Sequence, residues 1–137
     1  MSESIILTGG CLCGAIRYSA DTMPFASDYC HCTQCRRSSG GPVGVWMDFK
    51  AEQVSWSGAQ PKEYESSQHV NRGFCSDCGS SLSYNHNQHP EYLSLTVATL
   101  DNPALVTPTY HIFTDSQIPW FDISDSCKRY PREQTSN

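Results

Sequence analysis

Seven of the eight cysteines fall into three tight groups, Cys11-x-Cys13, Cys30-x-Cys32-x-x-Cys35 and Cys75-x-x-Cys78, and Cys127 stands apart. Thiolates at such spacings are metal ligands. A C-x-x-C knuckle turns both sulfurs onto one ion, and FCSDCGS carries a glycine where that turn must end. In GGCLCGAIRY glycines flank the cysteines on both sides, and residues i and i+2 of an extended chain share a face. Seven thiols exceed one tetrahedral site and fall one short of two. The simplest partition gives Cys11, Cys13, Cys75 and Cys78 to a closed four-thiolate zinc site. That site joins the start of the chain to its middle across the 61 residues between Cys13 and Cys75. Closing so long a loop removes unfolded-state entropy, and the metal bonds add folding energy. Iron also takes four thiolates, but zinc suits the site better.

Cys30, Cys32 and Cys35 remain. Three protein ligands with a free fourth position form the pattern of a catalytic zinc, whereas structural sites are filled. Three thiolates overcompensate a divalent ion and make it a weak Lewis acid. Its preferred fourth partner is soft, and a substrate thiol can bind and ionise there. Two alternatives stay open. A protein group could fill the position, from His31, His69, His86, His89, His111 or Cys127, or the trio could hold no metal and supply a redox nucleophile. His31, between two ligand cysteines, directs its ring away from their ion and suits a supporting or surface place. Arg36 and Arg37 follow the trio directly and could clamp a substrate carboxylate, or could simply be solvated at the end of a metal loop. Trp46, Trp56 and Trp120 read as core or rim aromatics.

The chain of 137 residues suits one domain with its own core, and 17 % charged with 11 % aromatic residues marks it as globular. A net charge of −5, with Arg36-Arg37 the one basic run, argues against a nucleic-acid binder. MSESIILTGG has a short apolar run and no basic segment before it, so neither a secretory signal nor a bilayer span is expected, and the expected location is the cytoplasm. In that reducing compartment clustered thiols read as ligands rather than as disulfides.

The elements that must position these sulfurs are short strands. Candidates are 14–19 (GAIRYS), 43–49 (VGVWMDF), 54–56, 69–74, 82–84 and 92–98 (YLSLTVA), rich in Val, Tyr, Trp and Thr and separated by turns such as SSGGP and NHNQHP. One helical turn is expected at 33–38, directly after the trio. The whole reads as a single mainly-β domain with little helix over 1–128, followed by a loose polar tail over 129–137.

GGCLCGAIRY, CHCTQCRRSSGG, FCSDCGSSL and HIFTDSQIPWFDISD together resemble the glutathione-dependent formaldehyde-activating enzyme family, which also takes in the centromere protein V type of domain. The resemblance runs from about Gly9 to Asp125. It implies an Mss4-like fold, small β-sheets around a zinc site, with a structural zinc on Cys11, Cys13, Cys75 and Cys78 and a second, catalytic zinc on Cys30, Cys32 and Cys35. It also implies a carbon–sulfur lyase activity, the joining of glutathione to formaldehyde as S-hydroxymethylglutathione and the reverse. The expected partners are thus a small thiol such as glutathione and an aldehyde, with no nucleic acid and no membrane. Three further readings compete. They are a non-enzymatic Mss4-like interaction module, a methionine sulfoxide reductase-like thiol reductase using Cys127, and, least favoured by the charge, a zinc-ribbon nucleic-acid binder.

Overall fold

The computed structural model describes residues 4–134 and folds them as eleven strands and one α-helix. Strands β1 (Leu7–Gly10), β2 (Ile16–Ala20) and β5 (Val54–Gly58) form an antiparallel sheet in the order β1-β2-β5. The remaining strands are β3 (Ala26–Cys30), β4 (Gly44–Lys50), β6 (Lys62–Ser67), β7 (Val70–Phe74), β8 (Ser81–His86), β9 (Tyr92–Thr96), β10 (Tyr110–Ile112) and β11 (Lys128–Arg129). They make an eight-stranded sheet in the order β11-β10-β3-β4-β9-β8-β7-β6. Helix α1 (Thr33–Ser39) connects β3 to β4.

Alternation along the strands divides the large sheet into two functional faces. Met47, Phe49, Leu93 and Leu95 point to one face and pack with Leu7, Ile16, Tyr18 and Ala20 of the small sheet, forming the main core. Trp46, on the opposite parity of β4, joins Cys30 and Cys35 in a second cluster backed by Cys32, Tyr84, Ile112 and Phe113. The sheet is therefore a wall with the stabilising core behind it and the cysteine trio in front.

The mainly-β expectation holds, and the six sequence-predicted strands coincide with β2, β4, β5, β7, β8 and β9. Strands β1, β3, β6, β10 and β11 carry weak local signals. ASDYC in β3 contains no β-branched residue, and KEYESS in β6 is an exposed edge strand whose Lys and Glu side chains guard an open ladder. The polar tail is not loose throughout. Lys128 and Arg129 pair in parallel with Tyr110 and His111. Beyond them the carbonyls of Tyr130, Pro131 and Arg132 accept from the N–H groups of Thr114, Asp115 and Phe113. Backbone pairing and the packing of Tyr130 on Tyr110 fix the segment, a contribution that its polar composition does not register. Residues 135–137 of the expected tail lie outside the described residues. None of the described helices is long and apolar enough to cross a membrane.

Phe49 is wholly buried at the junction of the two sheets. We expect Phe49→Ala to lower stability by about 3–5 kcal/mol through lost transfer energy and cavity formation. Denaturant unfolding of the metal-loaded protein checks this, with a shifted midpoint and an unchanged slope.

Candidate metal centres

Two loops bring the first sulfurs together. Cys11 and Cys13 follow β1, where the Gly14 N–H closes a turn onto the Cys11 carbonyl at 3.1 Å. Cys75 and Cys78 lie between β7 and β8, where the Gly79 N–H returns to the Cys75 carbonyl at 2.8 Å. Gly79 has φ +81°, a conformation that explains the glycine of FCSDCGS. The four sulfurs all lie within 4.8 Å of one another. Cys11 Sγ is 3.6 Å from Cys13 Sγ, and Cys13 Sγ is 3.7 Å from Cys75 Sγ. Four sulfurs about 2.3 Å from a tetrahedral zinc stand about 3.8 Å apart, so the two short separations match the ion and the set as a whole is grouped to hold it. The Ile16 N–H donates to Cys11 Sγ at 3.3 Å, and Ser80 Oγ lies 3.2 Å from Cys78 Sγ. The Ser80 contact is the leading cause of a Cys78 thiol pushed down to about 5. Such bonds stabilise thiolate, the form that metals bind.

The second group sits at the end of β3 and the start of α1. Cys32 is the N-cap of α1 and accepts from the Cys35 N–H at 3.2 Å. Cys30 Sγ and Cys35 Sγ are 3.2 Å apart, and the three sulfurs also fall within 4.8 Å of one another. Hydrogen bonds from Cys30 and then Cys35 push the Cys32 thiol well down, while those same contacts to Cys32 and Cys35, with burial, push Cys30 up. One sulfur of the trio thus takes the negative charge most readily. Gly44 lies against Cys35, and a Cβ there would come within 3.0 Å of Cys35 Cβ and 2.8 Å of Trp46 Nε1. A side chain at position 44 would displace the trio.

No fourth His, Cys, Asp or Glu among the described residues joins this group. His31 is fully buried, with Nε2 2.8 Å from His111 Nδ1, and His111 Nε2 is 3.0 Å from Asp125 Oδ2. Burial, then His111, pushes His31 down to about 4. Its ring stacks on His111 and supports β3 rather than facing the sulfurs. Cys127 Sγ lies 3.7 Å from the Pro108 carbonyl beside His111 and Asp125, and desolvation with the nearby Asp125 raises its pKa, so it is poorly suited to act as a nucleophile. His86 packs against His69 and His89 in a separate aromatic group.

The trio opens on a cavity of about 450 Å³. Cys30, Cys32 and Cys35 form part of its wall, with Trp46, Val70, Tyr84, Ile112 and Phe113 as apolar lining and Asp28, Asp48 and Arg72 as charged lining. Arg72 is 4 % exposed, and its guanidinium nitrogens stand 3.7 and 3.8 Å from Cys35 Sγ. It also donates to Ser66 Oγ and Ser38 Oγ and lies 5.3 Å from the Tyr84 ring centroid. A buried guanidinium aimed at a sulfur would compensate the excess negative charge of three thiolates, were a divalent ion held there. Arg36 and Arg37 do not line this cavity. They border a hollow on another side of α1 together with Trp120, which is 75 % exposed.

The fold agrees with the comparisons. Residues 6–116 match the profile of the family described as glutathione-dependent formaldehyde-activating enzyme. The chain belongs to this family. A Halomonas elongata protein whose name places it among the glutathione-dependent formaldehyde-activating enzymes is 25 % identical over 94 % of this chain and 91 % of its own length. An uncharacterized lyase of Schizosaccharomyces pombe is 30 % identical over 63 % of this chain and 64 % of its own. The crystal structure of a Rhodobacter sphaeroides protein superposes with a TM-score of 0.59 at 20 % identity, covering 74 % of this chain and 91 % of that one, and supports the fold.

Within this member of the glutathione-dependent formaldehyde-activating enzyme family, sequence reasoning passed over Asp28, Asp48 and Arg72. The signal was present as parity. Asp28 precedes Cys30 by two positions on β3, and Asp48 follows Trp46 by two on β4, so each shares the face of a residue already singled out.

The two sulfur groups should respond differently to mutation. Cys75→Ser should release one metal equivalent and cost at least about 3 kcal/mol, a fraction of the binding energy of a structural zinc. Cys32→Ser keeps a hydroxyl able to cap α1 and should shift the thermal transition by only a few degrees. Calorimetry of the metal-loaded variants, with metal content measured in parallel, checks the contrast.

Proposed function

We propose that this protein is a zinc-dependent carbon–sulfur lyase acting on thiol–aldehyde adducts, with S-hydroxymethylglutathione, formed from and returned to glutathione and formaldehyde, as the leading substrate. The observation that carries the reading is a three-cysteine group on the wall of a cavity, with no fourth described ligand and with a buried guanidinium on Cys35. Two zincs are assigned, a structural one to Cys11, Cys13, Cys75 and Cys78 and a second to Cys30, Cys32 and Cys35. Membership of the family and the lyase name of one relative support the reaction class.

Bound at the trio, zinc would supply a soft electrophilic centre that lowers the pKa of a substrate thiol. The chain's own residues do the rest. Arg72 holds the Cys35 sulfur in place and offsets the charge accumulated when another thiolate arrives. Trp46, Tyr84, Ile112 and Phe113 exclude water, which would otherwise hydrate the aldehyde and stabilise the free thiolate. Confinement of thiol and carbonyl in one small cavity replaces an encounter with a positioned pair. In the forward direction the thiol gives up its proton, its sulfur forms a bond to the carbonyl carbon as the carbonyl π bond opens, and the proton ends on the resulting hydroxyl oxygen. The reverse breaks the sulfur–carbon bond, reforms the carbonyl and returns the proton to the thiol. The single domain assigned to 1–128 and a cytoplasmic location complete the proposal, and eight free cysteines suit a reducing compartment.

The test is exchange spectroscopy of formaldehyde with glutathione. We expect zinc-loaded protein to accelerate exchange, and Cys32→Ser to lose at least about 100-fold while staying folded, the scale of removing an activated-nucleophile site. Arg36→Ala and Arg37→Ala, outside the cavity, should change the rate by less than about 3-fold. Unchanged exchange in Cys32→Ser would refute the mechanism.

A further inference from the structure

The cavity beside the trio carries two carboxylates for which the sulfur chemistry has no use. Asp28 and Asp48 both line it. In the β3–β4 register Asp28 faces Trp46 and Ala26 faces Asp48, so the two acids are diagonal neighbours on one face. Side chains on such diagonals, about 7–8 Å apart at the backbone, can converge on one ligand. Asp28 is 6 % exposed, and among the described residues its carboxylate meets no hydrogen-bond donor other than its own N–H. Asp48 Oδ1 accepts from Ser94 Oγ at 2.7 Å.

Among the described residues no cationic side chain forms an ion pair with these acids. The ion pairs formed among the described residues involve Asp101 and Asp125 and reach neither. Arg72 stands in the same transverse row as Asp48, through the pairs Asp48–Ser94, Ser94–Tyr84 and Tyr84–Arg72. Three inter-strand steps of about 4.8 Å separate the two backbones by roughly 14 Å. The guanidinium is also turned to Cys35, Ser38 and Ser66. A buried carboxylate without a counter-charge is costly, so a cavity that turns Asp28, and the half-buried Asp48 beside it, toward its interior favours positive charge there.

We infer that Asp28 and Asp48 form an ammonium subsite and that the thiol taken by the trio carries a protonated amine. The inference rests on the trio being a thiol site. Cys30 and Asp28 lie two residues apart on one strand face, about 6.6–7 Å along β3, a span of a few covalent bonds. The apolar walls offer nothing to a carboxylate at that end, and the two acids repel one. The amine of a short aminothiol and that of the γ-glutamyl end of glutathione share this chemistry and differ in reach.

Calorimetric titration of the zinc-loaded full chain tests the subsite. The probes are cysteamine, glutathione, 2-mercaptoethanol, 3-mercaptopropionate and S-methylcysteamine, which keeps the amine but has no ionisable thiol. We expect cysteamine to bind at least about 10-fold tighter than 2-mercaptoethanol, the scale of one charge-assisted hydrogen bond, with 3-mercaptopropionate weakest. Asp48→Asn, which retains the shape and an acceptor for Ser94, should cut that advantage to under about 3-fold. Asp28→Asn provides an independent second variant. A loss confined to cysteamine assigns the subsite to short aminothiols, and one shared by glutathione extends it to the γ-glutamyl amine. If thiols fail to bind but S-methylcysteamine binds and depends on Asp48, the ammonium subsite stands and the thiol-lyase reading falls. Equal affinity for cysteamine and 2-mercaptoethanol in the unaltered protein, or an amine advantage that survives both substitutions, overturns the subsite.

Discussion

Four sulfurs drawn from the two sheets govern the architecture. Cys11 and Cys13 leave the small sheet at the end of β1, and Cys75 and Cys78 cross from β7 to β8 in the large one. Their convergence within 4.8 Å ties together layers that otherwise meet through one apolar core. A chain this small buries enough surface to fold, but its loops from Asp21 to Phe25 and from Asp101 to Thr109 gain little from regular pairing. A metal holding four thiolates would contribute free energy comparable to the net stability of an ordinary domain. The front of the sheet can then be given over to charged and reactive groups that a core could not hold.

That separation explains why the front face tolerates so many groups that are unfavourable to bury. Behind the wall lie Met47, Phe49 and Leu95, each wholly buried. In front lie three sulfurs, the buried guanidinium of Arg72, the buried carboxylate of Asp28 and the half-buried one of Asp48, each costly alone. β4 serves both faces through simple alternation, with Trp46 and Asp48 toward the cavity and Met47 and Phe49 toward the core. Arg72 links the halves of the site by reaching from β7 to Cys35 and Ser38 of α1.

Much of this was legible in the sequence, and the limits have physical causes. Cysteine spacing marked the short knuckles, which act locally, and counting four ligands per ion paired the two distant ones that the fold brings together. The helix after the trio appeared where a capping Cys32 and a Gly40 at φ +74° bound it. The placement of α1, which turns Cys35 to the cavity and carries Arg36 and Arg37 away from it, was not legible, since it depends on which face β3 and β4 present. Arg72 and the acids were hidden for the same reason. A lone arginine in VNRGF or an aspartate in VWMDF reads as a solvent-facing strand residue until the register shows what stands opposite. The ordered segment at 128–132 was missed because backbone pairing with β10 leaves no trace in side-chain composition.

The central claim is a second zinc held by three protein sulfurs, with its fourth position turned to the cavity. X-ray absorption at the zinc edge, on the doubly loaded protein with and without glutathione, addresses it directly. Seven protein sulfurs and one oxygen shared by two ions give an average of about 3.5 sulfurs per zinc, rising to about 4 when the substrate thiol binds. A single zinc per chain, or two zincs with four sulfurs each before any thiol is added, would contradict the account.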